Sequence, residues 1–139
     1  MTAVRQSTEI PGCDEYRALR VACGLSPKSQ AAAELGLPNS LFATTIRDGE
    51  HLIAMGRVVG DGGLNFEVVD IAVHPDYQRQ GLGKQIMDAV MAFIHEAAPE
   101  SAYIDLIADH HSPALYSKYG FEPVAPKSIG MAFSIKRQS

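Results

Sequence analysis

Two acids and one turn hold the residue types that could do chemistry in this chain. Glu67 and Asp70 lie in the run Asn65 to Val73, which is apolar from Val68 onward apart from Asp70. A carboxylate among apolar neighbours is costly unless it is exposed, paired, or used as a base or an ammonium ligand. On an extended strand, residues three apart point to opposite faces, so these two acids are expected to do so. Directly afterwards comes His74-Pro75-Asp76-Tyr77-Gln78-Arg79-Gln80-Gly81-Leu82-Gly83-Lys84. An apolar strand, a glycine-bearing turn and then a long helix leave peptide N–H groups without internal partners at a positive helix end. Such an end binds phosphate through backbone alone, and glycines at 81 and 83 remove the Cβ atoms that would hold it off. Arg79 and Lys84 can add charge.

Two nucleotide loops are excluded by this turn. A Walker A loop needs Gly where Gln78 stands and Ser or Thr where Gln85 stands, and a dinucleotide fingerprint needs a small residue where Ile86 stands. A plain strand-to-helix turn is the alternative on these residues alone. The histidines at 51, 74, 95, 110 and 111 form no metal-ligand spacing, so no metal is expected. His110 and His111 read as solvated loop residues, with a base role for either as the alternative. Cys13 and Cys23 form no C-x-x-C pair and, on one helix, lie too far apart to bridge. They read as reduced thiols of a cytoplasmic protein.

The elements that must position these groups follow from periodicity and punctuation. Pro11 to Cys23 reads as a helix with Asp14 and Glu15 in its first turn and Gly24 as its stop. Ser26-Pro27 opens a second helix that runs to Leu35 and ends at Gly36. Leu41 to Arg47 and His51 to Val59 read as strands joined by an Asp48-Gly49 hairpin. Asn65 to Val73 follows as a strand covered on both faces. Gly81 to Ala98 is a helix whose apolar face is Leu82, Ile86, Ala89, Val90, Phe93 and Ala97. Ala102 to Ala108 is a further strand, Pro113 to Tyr119 a short helix, and Phe121 to Val124 and Ile129 to Ile135 are late strands. Met1 to Ser7 is read as an added first strand. Hairpins followed by a strand–helix–strand unit make a mixed α/β sheet rather than a doubly wound one.

Composition bounds the class. The chain's 139 residues suit one domain, 1–139. With 12 Lys and Arg against 16 Asp and Glu, the net charge of −4 argues against nucleic acid or an anionic membrane as partner. No apolar run approaches the roughly 20 residues that a membrane span needs.

Gln78-Arg79-Gln80-Gly81-Leu82-Gly83 resembles the [QR]-x-x-G-x-[GA] motif of the GNAT superfamily of acyl-CoA-dependent N-acyltransferases. Asp70 to Tyr77 looks like the strand and loop that lead into that motif. Ala114-Leu115-Tyr116-Ser117-Lys118-Tyr119-Gly120-Phe121 is similar to the family's A-x-Y-x-K-x-G-F-like segment. The motif-level resemblance covers residues 66 to 124.

The resemblance implies a mixed, mostly antiparallel sheet flanked by helices, with a splayed central parallel strand pair. It implies acetyl-CoA as cosubstrate. The coenzyme's pyrophosphate would rest on the turn formed by Gln78, Arg79, Gln80, Gly81, Leu82, Gly83 and Lys84, and its pantetheine arm would pair with Ile71, Ala72 and Val73. Tyr116 matches the family's general acid, with packing of its helix as the alternative. Glu67 matches a catalytic glutamate of some members, with a solvated strand residue as the alternative and a water chain as another route for the proton. Asp70 would bind the substrate ammonium or make a structural hydrogen bond to the N-terminal helices. Asp109 stands where many relatives carry an Asn that orients the coenzyme, which puts that contact in doubt. The acceptor would lie among Leu25, Leu37, Pro38, Asn39, Glu67, Asp70 and the loop from Pro126 to Ile129. That lining looks small and partly acidic and suits a compact primary amine, such as an amino acid. A non-catalytic acyl-CoA-binding regulatory module and a protein or peptide N-acetyltransferase are the other readings. A homodimer is expected from the family alone.

Overall fold

The computed structural model describes residues 4–109 and 113–137. His110 and His111, and the start of the expected first strand, lie outside them. The chain divides into two compact units, residues 1–106 and 107–139.

The first unit is a five-stranded sheet in the order β1-β2-β3-β4-β5. Its strands are β1 (Val4–Thr8), β2 (Phe42–Asp48), β3 (His51–Gly60), β4 (Asn65–Val73) and β5 (Tyr103–Asp105). The first four pair antiparallel, and β4 pairs parallel with β5. The Asp48-Gly49 signal forms the β2–β3 hairpin, with Asp48 opposite His51 and Gly49 at φ +62°. At the other end of β3, Gly60 has φ +148°, and a Cβ there would meet the Asn65 carbonyl oxygen at 2.1 Å. Only glycine lets the chain turn into β4 so tightly.

Helices cover both faces. α1 (Cys13–Ala22) and α2 (Gln30–Gly36) place Tyr16, Leu19, Ala33 and the adjoining Leu37 against Leu52, Met55 and Ala72. α2 starts later than the Ser26-Pro27 signal implies, because the Ser29 hydroxyl accepts from the Ala32 amide and caps it there. α3 (Leu82–Ala97) buries Leu82, Ile86, Met87, Val90 and Ile94. Phe93 of α3 stacks on Phe42 of β2 with ring centroids 4.8 Å apart. The helix comes so close to β3 that a Cβ at Gly56 would lie 2.6 Å from an Ile86 methyl and 2.8 Å from Ile71.

The second unit contains α4 (Pro113–Ser117), whose Tyr116 ring meets Phe121 edge-on at 6.4 Å. The two late strands expected at 121–124 and 129–135 do not form: no described residue beyond 105 is in a strand. The alternation is present, but Ile129, Met131, Phe133 and Ile135 are all exposed. Alternation alone does not make a strand, which exists only by pairing with an edge. β5 is likewise shorter than the expected 102–108.

Candidate functional site

β4 is the spine of the site, and its regular pairing fails in two places. Toward β5 the register runs only from Asn65↔Tyr103 to Glu67↔Asp105, while β4 continues to Val73. From Val68 onward the strand therefore has no strand partner on that side among the described residues, which is the splayed parallel pair. Such a backbone edge can receive an extended ligand as an added strand.

Toward β3 the register slips. Met55 pairs with Ala72 and Arg57 with Val69, so two steps on β3 match three on β4. The extra residue is a β-bulge, and Asp70 within it has φ +58°, a left-handed conformation that Asp tolerates better than most residues. The bulge overturns the expectation that Glu67 and Asp70 face opposite ways. Cross-strand partners share a face, so Glu67, Val69 and Arg57 lie together. Asp70 joins them, because its carboxylate meets Arg57 and the α1 side chains.

That carboxylate is almost fully engaged. Arg20 Nη1 donates to Oδ1, Tyr16 Oη donates to Oδ2 at 3.0 Å, and Arg57 Nε donates to Oδ2 at 2.8 Å. Arg57 Nη1 also donates to Ser40 Oγ at 2.7 Å, and its guanidinium carbon lies 5.6 Å from the Tyr16 ring centroid. Arg20 is held further by Ser26. Of the two readings of Asp70, these are the contacts of the second, a structural bond to the N-terminal helices. Burial and the neighbouring Asp70 charge push the Tyr16 phenol above its ordinary range.

Glu67 is half-buried and unlike Asp70 has no cation beside it in the hydrogen bonds described. Burial and the charge of Asp105 on the adjoining strand raise its carboxyl above the ordinary glutamate range. A carboxylate so tuned is a better proton acceptor near neutral pH than an exposed one.

Beyond Val73 the chain makes a turn of 3-10 helix at Pro75–Tyr77 and enters α3 through Gly81, at φ +82°. Arg79 is also left-handed, at φ +65°. Left-handed residues in a turn swing successive N–H groups toward one concavity that suits an anion. The α3 N-terminus has no side-chain cap and no acid in its first turn. A helix end of this kind fits an anion, and there is open space around Gly81. These residues fit a pyrophosphate. Gln78 turns back, and its Nε2 donates to the Val73 carbonyl at 3.1 Å, tying the turn to the strand end.

The other expected residues stand as follows. Asn39 is exposed and its Nδ2 donates to the Leu35 carbonyl at 2.9 Å, closing the end of α2. Asp109 is exposed in the loop after β5. Tyr116 is buried within α4 of the second unit. Sequence reasoning missed Tyr16, Arg20, Arg57 and Ser40. The signal existed: Arg20 falls on the buried stripe of its helix and Arg57 inside an apolar strand, the same anomaly that marked Asp70. The two cysteines are free thiols, and the described residues contain no metal-binding cluster.

A mixed sheet whose one parallel pair ends short, beside an uncapped helix N-terminus, defines an α/β domain with an open strand edge and a helix end that fits an anion. The sequence model of the GNAT acetyltransferase domain matches residues 39–123, more than half of the chain, and the chain belongs to that family. A Staphylococcus aureus protein of unknown function has a crystal structure 48% identical, covering 96% of this chain and 100% of its own, with a TM-score of 0.92. A GNAT-family protein of Streptococcus pneumoniae is 25% identical over 99% of this chain and all of its own, with a TM-score of 0.73. An uncharacterized N-acetyltransferase of Porphyra purpurea is 34% identical over 51% of this chain. The chain spans 40% of that relative's length.

Proposed function

We propose that this chain is an N-acetyltransferase that moves an acetyl group directly from acetyl-CoA to the primary amine of a small molecule, an amino acid or small amine. One observation carries the reading: β4 parts from β5 after Glu67, beside a helix N-terminus led by a left-handed glycine. The pantetheine arm pairs with Ile71, Ala72 and Val73, and the amides from Arg79 to Lys84 hold the pyrophosphate, with Gln78 bracing the turn. Asp109 orients the coenzyme near its acyl end. Asn39 lies on the acceptor side. Asp70 serves the acceptor through the arginines it holds.

Glu67 takes a proton from the acceptor ammonium, and the freed amine nitrogen bonds to the thioester carbonyl carbon. As the carbon–sulfur bond breaks, Tyr116 gives its phenolic proton to the departing sulfur, and the second proton shed by the new amide nitrogen restores the phenol. A phenol can do this without being ionised at neutral pH. No acyl-enzyme is needed, so Cys13 and Cys23 stay out of the reaction. All 139 residues are read as one acetyltransferase domain. The cytoplasm is the proposed location, supported by the two free thiols. No described helix is long and apolar enough to cross a membrane.

A homodimer is part of this reading, supported by the exposed apolar alternation at Ile129, Met131, Phe133 and Ile135. Sedimentation at micromolar concentration tests it, and a single monomeric species removes it. The transfer itself is tested by thiol release from acetyl-CoA against a panel of free amines, amino acids and peptides. Turnover of free amines is expected. Tight acetyl-CoA binding without turnover of any acceptor would leave a regulatory module, and turnover of peptides alone a protein acetyltransferase.

A further inference from the structure

On the Glu67 face of the sheet, a cavity of about 210 Å³ lies between α1, α2 and β3. Its walls include Tyr16, Lys28, Ala33, Leu37 and Arg57, and no lining residue is acidic. Of the residues expected around the acceptor, it shares Leu37. Residues 1–106 carry 8 Lys and Arg against 14 Asp and Glu, so a basic cavity stands out in a unit of net charge −6.

The charge is not only local but unbalanced. Arg20 and Arg57 share one carboxylate, Asp70, and all three side chains are at least nine-tenths buried or close to it, at 10%, 12% and 5% exposure. Two guanidiniums on one carboxylate leave a buried surplus of one positive charge, which is costly without an anion. Arg57 spends Nε on Asp70 and Nη1 on Ser40, while Nη2 has no hydrogen-bond partner among the described residues. Lys28 also lines the cavity, and its ammonium has no hydrogen-bond partner among the described residues. Two unfilled cationic donors thus border one cavity whose other walls are Tyr16 and small or apolar residues.

Resting on the transfer reading above, we propose that the acceptor carries a carboxylate and that Arg57 and Lys28 bind it here. The spacing fits an α-amino acid. Arg57 pairs with Val69, two residues from Glu67, and such diagonal neighbours lie about 7–8 Å apart on a sheet. Arg57 and Glu67 thus serve one face of the sheet, as the carboxylate and the amine of one small acceptor require. The alanines and Leu37 leave room for a small side chain.

Each of several α-amino acids is compared with its own carboxamide and its own decarboxylated amine. Thiol release gives kcat and KM, and ligand-detected NMR with CoA present reports binding without chemistry. The free amino acid is expected to exceed both analogues in kcat/KM by about tenfold or more, the worth of one charge-assisted contact. Lys28→Met, at an exposed position that the fold does not need, is expected to raise KM for amino acids several-fold with kcat kept. It should leave the decarboxylated amines unchanged, and Lys28→Arg should restore the loss. Equal turnover of amines and amino acids, with Lys28→Met silent, overturns the carboxylate site and leaves the transferase standing. No turnover, with amino acids still bound in a Lys28-dependent way, overturns the transferase and keeps the site. Neither turnover nor binding overturns both.

Discussion

The first unit holds two arginine–carboxylate clusters of opposite stoichiometry. In one, Arg47 sits between two carboxylates: its Nε meets Glu9 at 2.8 Å and its Nη2 meets Glu15 at 2.7 Å. In the other, Asp70 sits between Arg20 and Arg57. The first joins the chain after β1 and the start of α1 to β2. Its surplus negative charge falls on Glu9 and Glu15, whose side chains are 37% and 31% exposed, so water solvates it. The second ties α1 to the centre of the sheet, and its surplus positive charge is buried beside a cavity. A surplus that water can reach is consistent with a joint and nothing more. A buried surplus costs stability unless something else answers it, and that separates a binding feature from a fastening one.

Breaking each cluster at its centre tests the contrast. Asp70→Asn keeps the shape but leaves two buried guanidiniums with no counter-charge. It is expected to cost about 3–5 kcal/mol in urea unfolding, the usual penalty for orphaning a buried charge. Arg47→Met removes hydrogen bonds to Glu9, Glu15 and the Glu50 carbonyl. The carboxylates left behind can hydrate, so the expected loss is smaller, about 1–2 kcal/mol. Equal losses would mean that burial does not divide the two clusters as described. Added glycine or acetate is expected to stabilise the wild type and leave Arg47→Met equally responsive, because the anion site belongs to the other cluster.

Where these clusters lie could be read only partly from the sequence. β4 was legible over its whole length, because Asn65 to Val73 is an apolar run bounded by glycines on one side and His74-Pro75 on the other. The helix after Gly81 and the hairpin at Asp48-Gly49 were legible for the same local reason. The bulge at Asp70 was not, since an extra residue is set by register against β3 and leaves no mark in β4 alone. One residue of slip moved Asp70 onto the Glu67 face and turned the meaning of the pair around. The convergence of positions 20, 57 and 70 is tertiary, although each is a charge in an apolar context and each could have been flagged singly. The late segment from 129 to 135 taught the converse: its alternation was plain, but a strand needs an edge to pair with.

The smallest expected effect is the one on acid stability, and there Glu9 and Glu15 oppose Glu67. Hydrogen bonds from Thr45 and Arg47 lower the Glu9 carboxyl, and Arg47 lowers that of Glu15. A lowered carboxyl contributes stability that is present above its unfolded value, near pH 4.5, and is lost as pH falls through its folded value. Glu67 is raised by burial and by Asp105, so its contribution is complete below pH 4.5 and is lost as pH rises through its folded value. On acidification from neutrality, protonation of Glu67 therefore acts first and adds slightly to stability, and the loss from Glu9 and Glu15 follows at lower pH. Stability measured across this range should rise shallowly and then fall. Glu67→Gln should remove the rise and leave the fall, whereas Arg47→Met should flatten the fall and leave the rise. Each step is expected to stay below about 1 kcal/mol, because Glu9 and Glu15 are partly screened by water and Glu67 is only half-buried. If Arg47→Met left the acid limb as steep as before, the joint would not be what holds those two carboxyls down.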